Sequence, residues 1–304
     1  MKPVRLYLTW IIGGTFIAAA VVALYLNFKT SGSFEHRVTG IYDPPRQLGT
    51  IDLAPGLKPA WVYNWGDSLY VDYFNGNNVD IFSFDGTKKG EFNNAGLKGT
   101  GSPQGMGIIG KRLLIADYLN KALVVFSPTG QYQESFANLP DKTEFIPVGV
   151  AVYNRVFYIT DKKSEGWLAI GDDGVFINLV KGQDEKTRLL FPYGLVVTED
   201  GRVIVTDPKG GQIKVFACAG WYAYDFPVTE AGLKNPQGIA IDGLDRIHVV
   251  DNGSNRVFVY DNRGRYMFKY GRSLEEPSTI TVNRKRRLIY IANTEKGNIQ
   301  VWGY

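Results

Sequence analysis

A proline followed by a short apolar stretch recurs six times in this chain, at Pro59, Pro103, Pro147, Pro192, Pro236 and Pro277, with spacings of 44, 44, 45, 44 and 41 residues. A period of this size makes each unit one supersecondary element, which must stack on its neighbours to bury its apolar faces. Thirteen to sixteen residues after each proline, an apolar run ends in an acid or its amide: Asp72, Asp117, Asp161, Asp207, Asp251 and Asn293. A third apolar run follows a turn, as at 257–260, and then a glycine-containing turn such as Asp261-Asn262-Arg263-Gly264. Each unit therefore reads as four short strands separated by turn chemistry.

Runs such as Leu288-Ile289-Tyr290-Ile291 and Val203-Ile204-Val205 are apolar throughout, as expected of strands sandwiched between two sheets. Helical repeats of similar length need long amphipathic stretches, which the sequence lacks. The expected fold is all-β: a six-bladed β-propeller of four-stranded antiparallel blades, preceded by one transmembrane helix. Closure is an independent check. The last unit has three strands, near 280–282, 288–291 and 299–302, and then the chain stops. Residues 48–53, before the first proline, form a spare strand. Pairing it with 299–302 completes the sixth blade and removes an exposed sheet edge.

Residues 6–28 contain no charge, and 23 residues span about 34 Å as a helix, the thickness of a membrane's hydrocarbon core. Tyr7 and Trp10 lie at one end and Tyr25 and Phe28 at the other, where interfacial aromatics are expected. Lys2 and Arg5 precede the run with no acid among them, while Glu35 offsets Lys29 and Arg37 beyond it. The positive-inside rule then places the N-terminus in the cytoplasm and the propeller outside it, on a single-pass plasma-membrane protein. A cleaved signal peptide is the competing reading; its apolar region would be unusually long. The expected organisation is a signal anchor at 1–28, a tether at 29–47 ending near Pro44-Pro45, and the propeller at 48–304.

The fifth unit carries a family resemblance. Pro236-Gln237-Gly238-Ile239-Ala240-Ile241-Asp242 leads into Ile247-His248-Val249-Val250-Asp251-Asn252, and Asn255-Arg256-Val257-Phe258-Val259-Tyr260-Asp261 follows. This pattern resembles the NHL repeat. Units two to four keep Pro-x-Gly at Gly105, Gly149 and Gly194, whereas the first and last, Pro59-Ala60-Trp61 and Pro277-Ser278-Thr279, lack that glycine. The resemblance implies a rigid disc that recruits protein partners or senses a ligand.

Recurrence once per blade assigns Asp72, Asp117, Asp161, Asp207, Asp251 and Asn293 to turn capping, the side chain accepting backbone N–H bonds. The proline and glycine positions set the backbone at the start of each inner strand. Candidate ligand- or partner-binding residues are those that vary there, around the channel mouth: Trp61, Gln104, Tyr193 and Gln237, aromatics and amides suited to a peptide or polar small molecule. Arg284, Lys285, Arg286 and Arg287 form the strongest charge cluster, on the face opposite that mouth, and offer a patch for an anionic partner. With only His36 and His248, a channel zinc held by several histidines is not available, and no metal or other cofactor is expected. No nucleophile elbow, P-loop or paired catalytic carboxylate appears. Cys218, the one cysteine, sits in an apolar strand end. A net charge of +4 and an extracytoplasmic placement argue against nucleic acid. The expected function is that of a membrane-anchored binding or scaffold propeller. The alternative is a calcium-dependent hydrolase or lyase, which needs oxygen ligands from several blades converging on the channel.

Overall fold

The structure, a computed structural model, describes residues 42–304 except 75, 77, 94–101, 137–144 and 218. The apolar run at 6–28, most of the tether and Cys218 lie outside those residues. Among the described residues no helix is long and apolar enough to cross a membrane.

Six four-stranded sheets are arranged as predicted. Blades 1 to 5 each use four consecutive strands; in blade 2 these are Pro103–Ile109, Arg112–Asp117, Ala122–Phe126 and Tyr132–Phe136, all antiparallel. Blade 6 uses Pro277–Asn283, Leu288–Asn293 and Asn298–Gly303, and its fourth strand comes from the other end of the chain, Arg46–Asp52. Ile51 pairs with Ile299 and Thr50 with Gln300, so the closure read from the spare strand is realised, two residues earlier than expected at its start.

The second and third strands of each blade are buried on both faces because a neighbouring sheet covers each side. Leu113, Leu114, Ile115 and Ala116 are all fully buried, whereas the outer strand Tyr132–Phe136 is largely exposed. The core lies in the seams between blades. Leu114, Ala116, Leu123 and Val125 of blade 2 pack on Phe157, Ile159, Leu168 and Ile170 of blade 3. At the closing seam Tyr290, Ala292 and Ile299 meet Val62, Leu69, Val71 and Ile51.

The Pro-x-Gly glycines owe their identity to space. A Cβ on Gly149 would run into the carbonyl of Tyr193 in blade 4, and one on Gly194 would lie 2.6 Å from the carbonyl oxygen of Gln237 in blade 5. A Cβ on Gly238 would lie 2.5 Å from Thr279 Cα in blade 6. Inner strands thus approach backbone to backbone, and neither neighbour can yield. Blade 1 has Trp61 at this position.

Blade 1 also departs in register. In blades 2, 3, 5 and 6 the proline pairs with the turn residue: Pro103 with Asp117, Pro147 with Asp161, Pro236 with Asp251, Pro277 with Asn293. In blade 1 Pro59 pairs with Tyr73, and Asp72 pairs with Trp61. Tyr73 therefore occupies the ring position. Asp72 stands one residue earlier, which turns its side chain to the other face of the strand. Its counterparts are Ala116, Thr160, Thr206, Val250 and Ala292. The predicted capping ring is corrected accordingly: Asp117, Asp161, Asp207, Asp251 and Asn293 belong to it, and Asp72 does not.

Candidate functional site

The five ring members do what recurrence suggests. Asp161 Oδ1 accepts the backbone N–H groups of Ile146 (2.9 Å) and Lys163 (3.0 Å), tying the loop before the inner strand to the turn after the second strand. Asp207 accepts from Leu190, Phe191 and Gly210, Asp117 from Ser102 and Asn120, Asp251 from Lys234 and Asn235, and Asn293 from Glu275. Asp72 instead accepts the N–H of Trp61 (2.8 Å) through Oδ1, while Oδ2, buried, makes no hydrogen bond. Burial pushes its carboxyl well above the ordinary value, against the lowering effect of the Trp61 N–H.

At the same strand position blades 3 and 4 place a hydroxyl that joins one blade to the next. Thr160 Oγ1 accepts from Gly149 N (2.7 Å) and donates to the Tyr193 carbonyl (2.8 Å). Thr206 Oγ1 accepts from Gly194 N (2.9 Å) and donates to the Gln237 carbonyl (2.6 Å). Other seams use different groups: Val62 N donates to Thr279 Oγ1 (3.0 Å), and Ile108 N to the Tyr63 hydroxyl (3.1 Å). These bonds satisfy inner-strand groups that no fifth strand covers.

Of the residues expected at the channel mouth, the structure brings two together as a plug. Trp61 (7% exposed) and Tyr193 (8%) pack with ring centroids 5.4 Å apart, and Phe191 stacks on Tyr193 at 6.3 Å. Gln104 is buried, with Nε2 donating to Ser102 Oγ at 3.2 Å; Gln237 is half-buried. The Lys162 ammonium lies 4.3 Å from the Phe191 ring centroid and donates to the Tyr118 hydroxyl. The end of the channel where the inner strands begin is thus filled by aromatic side chains.

The opposite end is open. A cavity of about 280 Å³ runs along the inner strands from Trp61 to Arg284, with Asn64, Val152, Val197, Ile241, Thr281 and Val282 among its walls. Most of the lining residues are aliphatic, but the surface they expose to the cavity is about evenly polar and apolar. Its polar groups gather on one side, where Asn64 Nδ2 donates to Thr281 Oγ1 (2.6 Å) and to the Val282 carbonyl (3.0 Å). Arg284, expected on the face away from the mouth, stands at the rim of the open mouth. Its Nη1 meets Glu199 Oε1 at 3.2 Å, its Nε donates to the Ile241 carbonyl, and it also lines a second cleft of about 180 Å³ with Glu199, Asp200, Arg202 and Asp245. Arg286 pairs with Asp67 and lies over the Phe84 ring, Arg287 lies over Tyr304, and Lys285 is exposed. The four basic residues therefore stand on the open face, each facing a different neighbour or solvent.

The chain enters the propeller on this same face. Arg46 pairs with Gly303, Gly303 with Leu288, and Leu288 with Asn283, the last residue of its inner strand. Just before Arg46, the carbonyl of Asp43 accepts a bond from Arg246 Nη1 (2.8 Å). Arg246 is itself buried beside Asp242 (2.7 Å), which also meets His248 Nε2 (2.9 Å). Burial alone would raise Asp242, but the His248 bond and the nearby charges outweigh it and hold the carboxyl at about 2. Burial keeps His248 below its ordinary value despite that carboxylate. Both histidine nitrogens are occupied, the second by the Tyr270 hydroxyl at 3.1 Å, so the group is a structural lock on the chain's point of entry.

Among the described residues no group of three or more His, Cys, Asp or Glu side chains is placed to hold a metal ion. No family model matches the chain, and no curated protein sequence matches it. Solved structures do. The chain is similar to a virginiamycin B lyase from Staphylococcus aureus, with TM-score 0.64 and 12% identity over 86% of this chain and 99% of that one. A streptogramin B lyase superposes with TM-score 0.63 and 15% identity over 84% and 96% of the two chains. Kuenenia stuttgartiensis hydrazine synthase does so with TM-score 0.59 and 14% identity over 82% and 96%. At such identities the likeness is one of architecture. With the sheet order it defines a six-bladed β-propeller.

Proposed function

We propose that this protein is a membrane-anchored, NHL-like binding propeller that takes a small molecule into its central channel. The anchor is the apolar run at 6–28, the tether follows it, and the propeller lies on the extracytoplasmic side. The observation that carries the ligand-binding reading is the one-ended channel: a cavity of about 280 Å³, floored by an aromatic plug and open at the opposite face. Pockets that hold small ligands are concave and carry a few convergent polar groups, as this one does with Asn64, Thr281 and Arg284. The open mouth lies on the face where the chain enters the propeller at Arg46. A ligand bound there would make the propeller a sensor. Recruitment of a protein partner by the rim, through the four basic residues and the adjoining cleft, is the natural output of such a sensor.

The test is native mass spectrometry of the full chain, purified in mild detergent from its own membranes, beside Val197→Trp, which fills the channel from its wall. The expected result is a small-molecule mass carried by the wild type and missing from a variant with the same far-ultraviolet dichroism. An empty wild type, or the same adduct on both proteins, would count against the channel.

A further inference from the structure

One residue sets the charge of the channel, and what that charge selects rests on the reading of the channel as a ligand site. Among the described residues that line the cavity, Arg284 alone is formally charged, and no carboxylate joins it there. The guanidinium stays protonated at every working pH. The neutral polar side chains of the wall are spent on one another and on the backbone. Both hydrogens of Asn64 Nδ2 are used, one on Thr281 Oγ1 (2.6 Å) and one on the Val282 carbonyl (3.0 Å). Arg284 is held over the opening, with Nε donating to the carbonyl of Ile241 (3.3 Å), itself a lining residue. Its Nη1 meets Glu199 Oε1 at 3.2 Å, but the two side chains are 44% and 77% exposed, and an ion pair so open to water contributes little. Glu199 lines the neighbouring cleft, not the channel, and its carbonyl accepts the Tyr153 hydroxyl (2.7 Å). Its carboxylate can therefore leave Arg284 without disturbing the backbone.

We infer that the channel takes an alkyl carboxylate, its carboxylate at the rim on Arg284 in the place Glu199 holds, and its chain along the inner strands toward Trp61. A planar guanidinium fork matches a carboxylate, and one cation at the mouth suits one negative charge. A phosphate would ask for more, and the other basic residues of the turn do not line the channel: Arg286 pairs with Asp67 and Arg287 lies over Tyr304. The side chains below the rim, among them Val152, Val197 and Ile241, suit a hydrocarbon. From Asn64 to Trp61 the wall runs about 10 Å along an extended strand, room for a short alkyl chain. Glu199 stands in for the ligand in the free protein and competes with it. No proton changes hands, since the acid arrives ionised and the guanidinium is already charged.

Calorimetric titration of the full chain in lipid nanodiscs with hexanoate, 1-hexanol and n-hexylammonium, corrected with empty nanodiscs, tests the inference. Hexanoate is expected to bind roughly tenfold more tightly than either of the others. Arg284→Met should bring hexanoate and hexanol to parity. Glu199→Gln removes the competitor and should tighten hexanoate about threefold while leaving hexanol unchanged, a response that a purely structural ion pair would not give. If the three probes bind alike, or the amine binds best, and Val197→Trp removes them all, the channel is a ligand site but the carboxylate assignment is wrong. If none binds to the wild type or to Glu199→Gln, both readings fail. Hexanoate binding that survives Val197→Trp belongs to the exposed guanidinium outside the channel, and that result overturns the inference. So does an Arg284→Met variant that binds hexanoate as the wild type does.

Discussion

Blade 3 and blade 1 build the same joint differently. In blade 3, Gly149 lies flat against the Tyr193 carbonyl of the next blade, and Thr160 bonds both its own inner strand and that carbonyl. In blade 1, Trp61 replaces the glycine and Asp72 replaces the threonine, bonding its own inner strand and leaving one oxygen without a partner. Blade 3 shows what the ring needs in order to close. Blade 1 shows a departure that stability does not explain, beside Trp61, one of the two rings that meet at the channel floor. A local rule broken without a structural gain marks a position for function.

Four substitutions would break or sharpen this comparison. The largest effect is expected from Gly149→Val, which drives side-chain atoms into the backbone of blade 4. A loss of at least about 3 kcal/mol in chemical denaturation is expected, because neither inner strand can move without its sheet. Thr160→Val keeps the volume and removes the staple, leaving the Gly149 N–H without its partner. A loss of about 1–3 kcal/mol follows from one stranded buried group, and a smaller value would show that the seam is held by packing alone.

Asp72→Thr, which copies blade 3 into blade 1, should raise stability at neutral pH by about 1 kcal/mol. The pH dependence has a definite sign. The folded-state carboxyl is raised above its ordinary value of 3.8. Its neutral form therefore contributes fully below that value, and the contribution is lost as pH climbs through the raised folded value. The advantage of the variant should be smallest in acid and grow toward neutrality. The smallest effect is expected from Arg284→Met at the rim. Its ion pair with Glu199 is solvent-exposed, so stability should change by less than about 0.5 kcal/mol while any anionic channel ligand is weakened.

Most of the architecture was legible because it is repetitive. The prolines, the apolar runs and the turn acids each recur, and an error in one unit is corrected by five others. The closing strand was legible for a related reason: three strands at one end and one spare at the other leave a single pairing that removes both edges. The site was less so. Asp72 follows its proline at nearly the same distance as the turn acids do, although its spacing of 13 is the shortest of the set, and that is the available signal. Trp61, Gln104 and Gln237 lie near the start of inner strands, and Tyr193 lies two residues before one. Which end of the channel they close depends on ring sizes meeting across the axis, from blades distant in sequence.

The sequence by itself determined the number of blades, their strand order and the join between the two ends of the propeller. Those follow from local periodicity and from the rule that strand edges are paired. Only the tertiary structure decided which end of the channel is open, that the basic turn stands at that opening, and that Asp72 turns inward to Trp61. These depend on strand register and on side chains converging from separate blades. A one-residue slip in a strand reverses every side chain while leaving the hydrophobic pattern nearly unchanged.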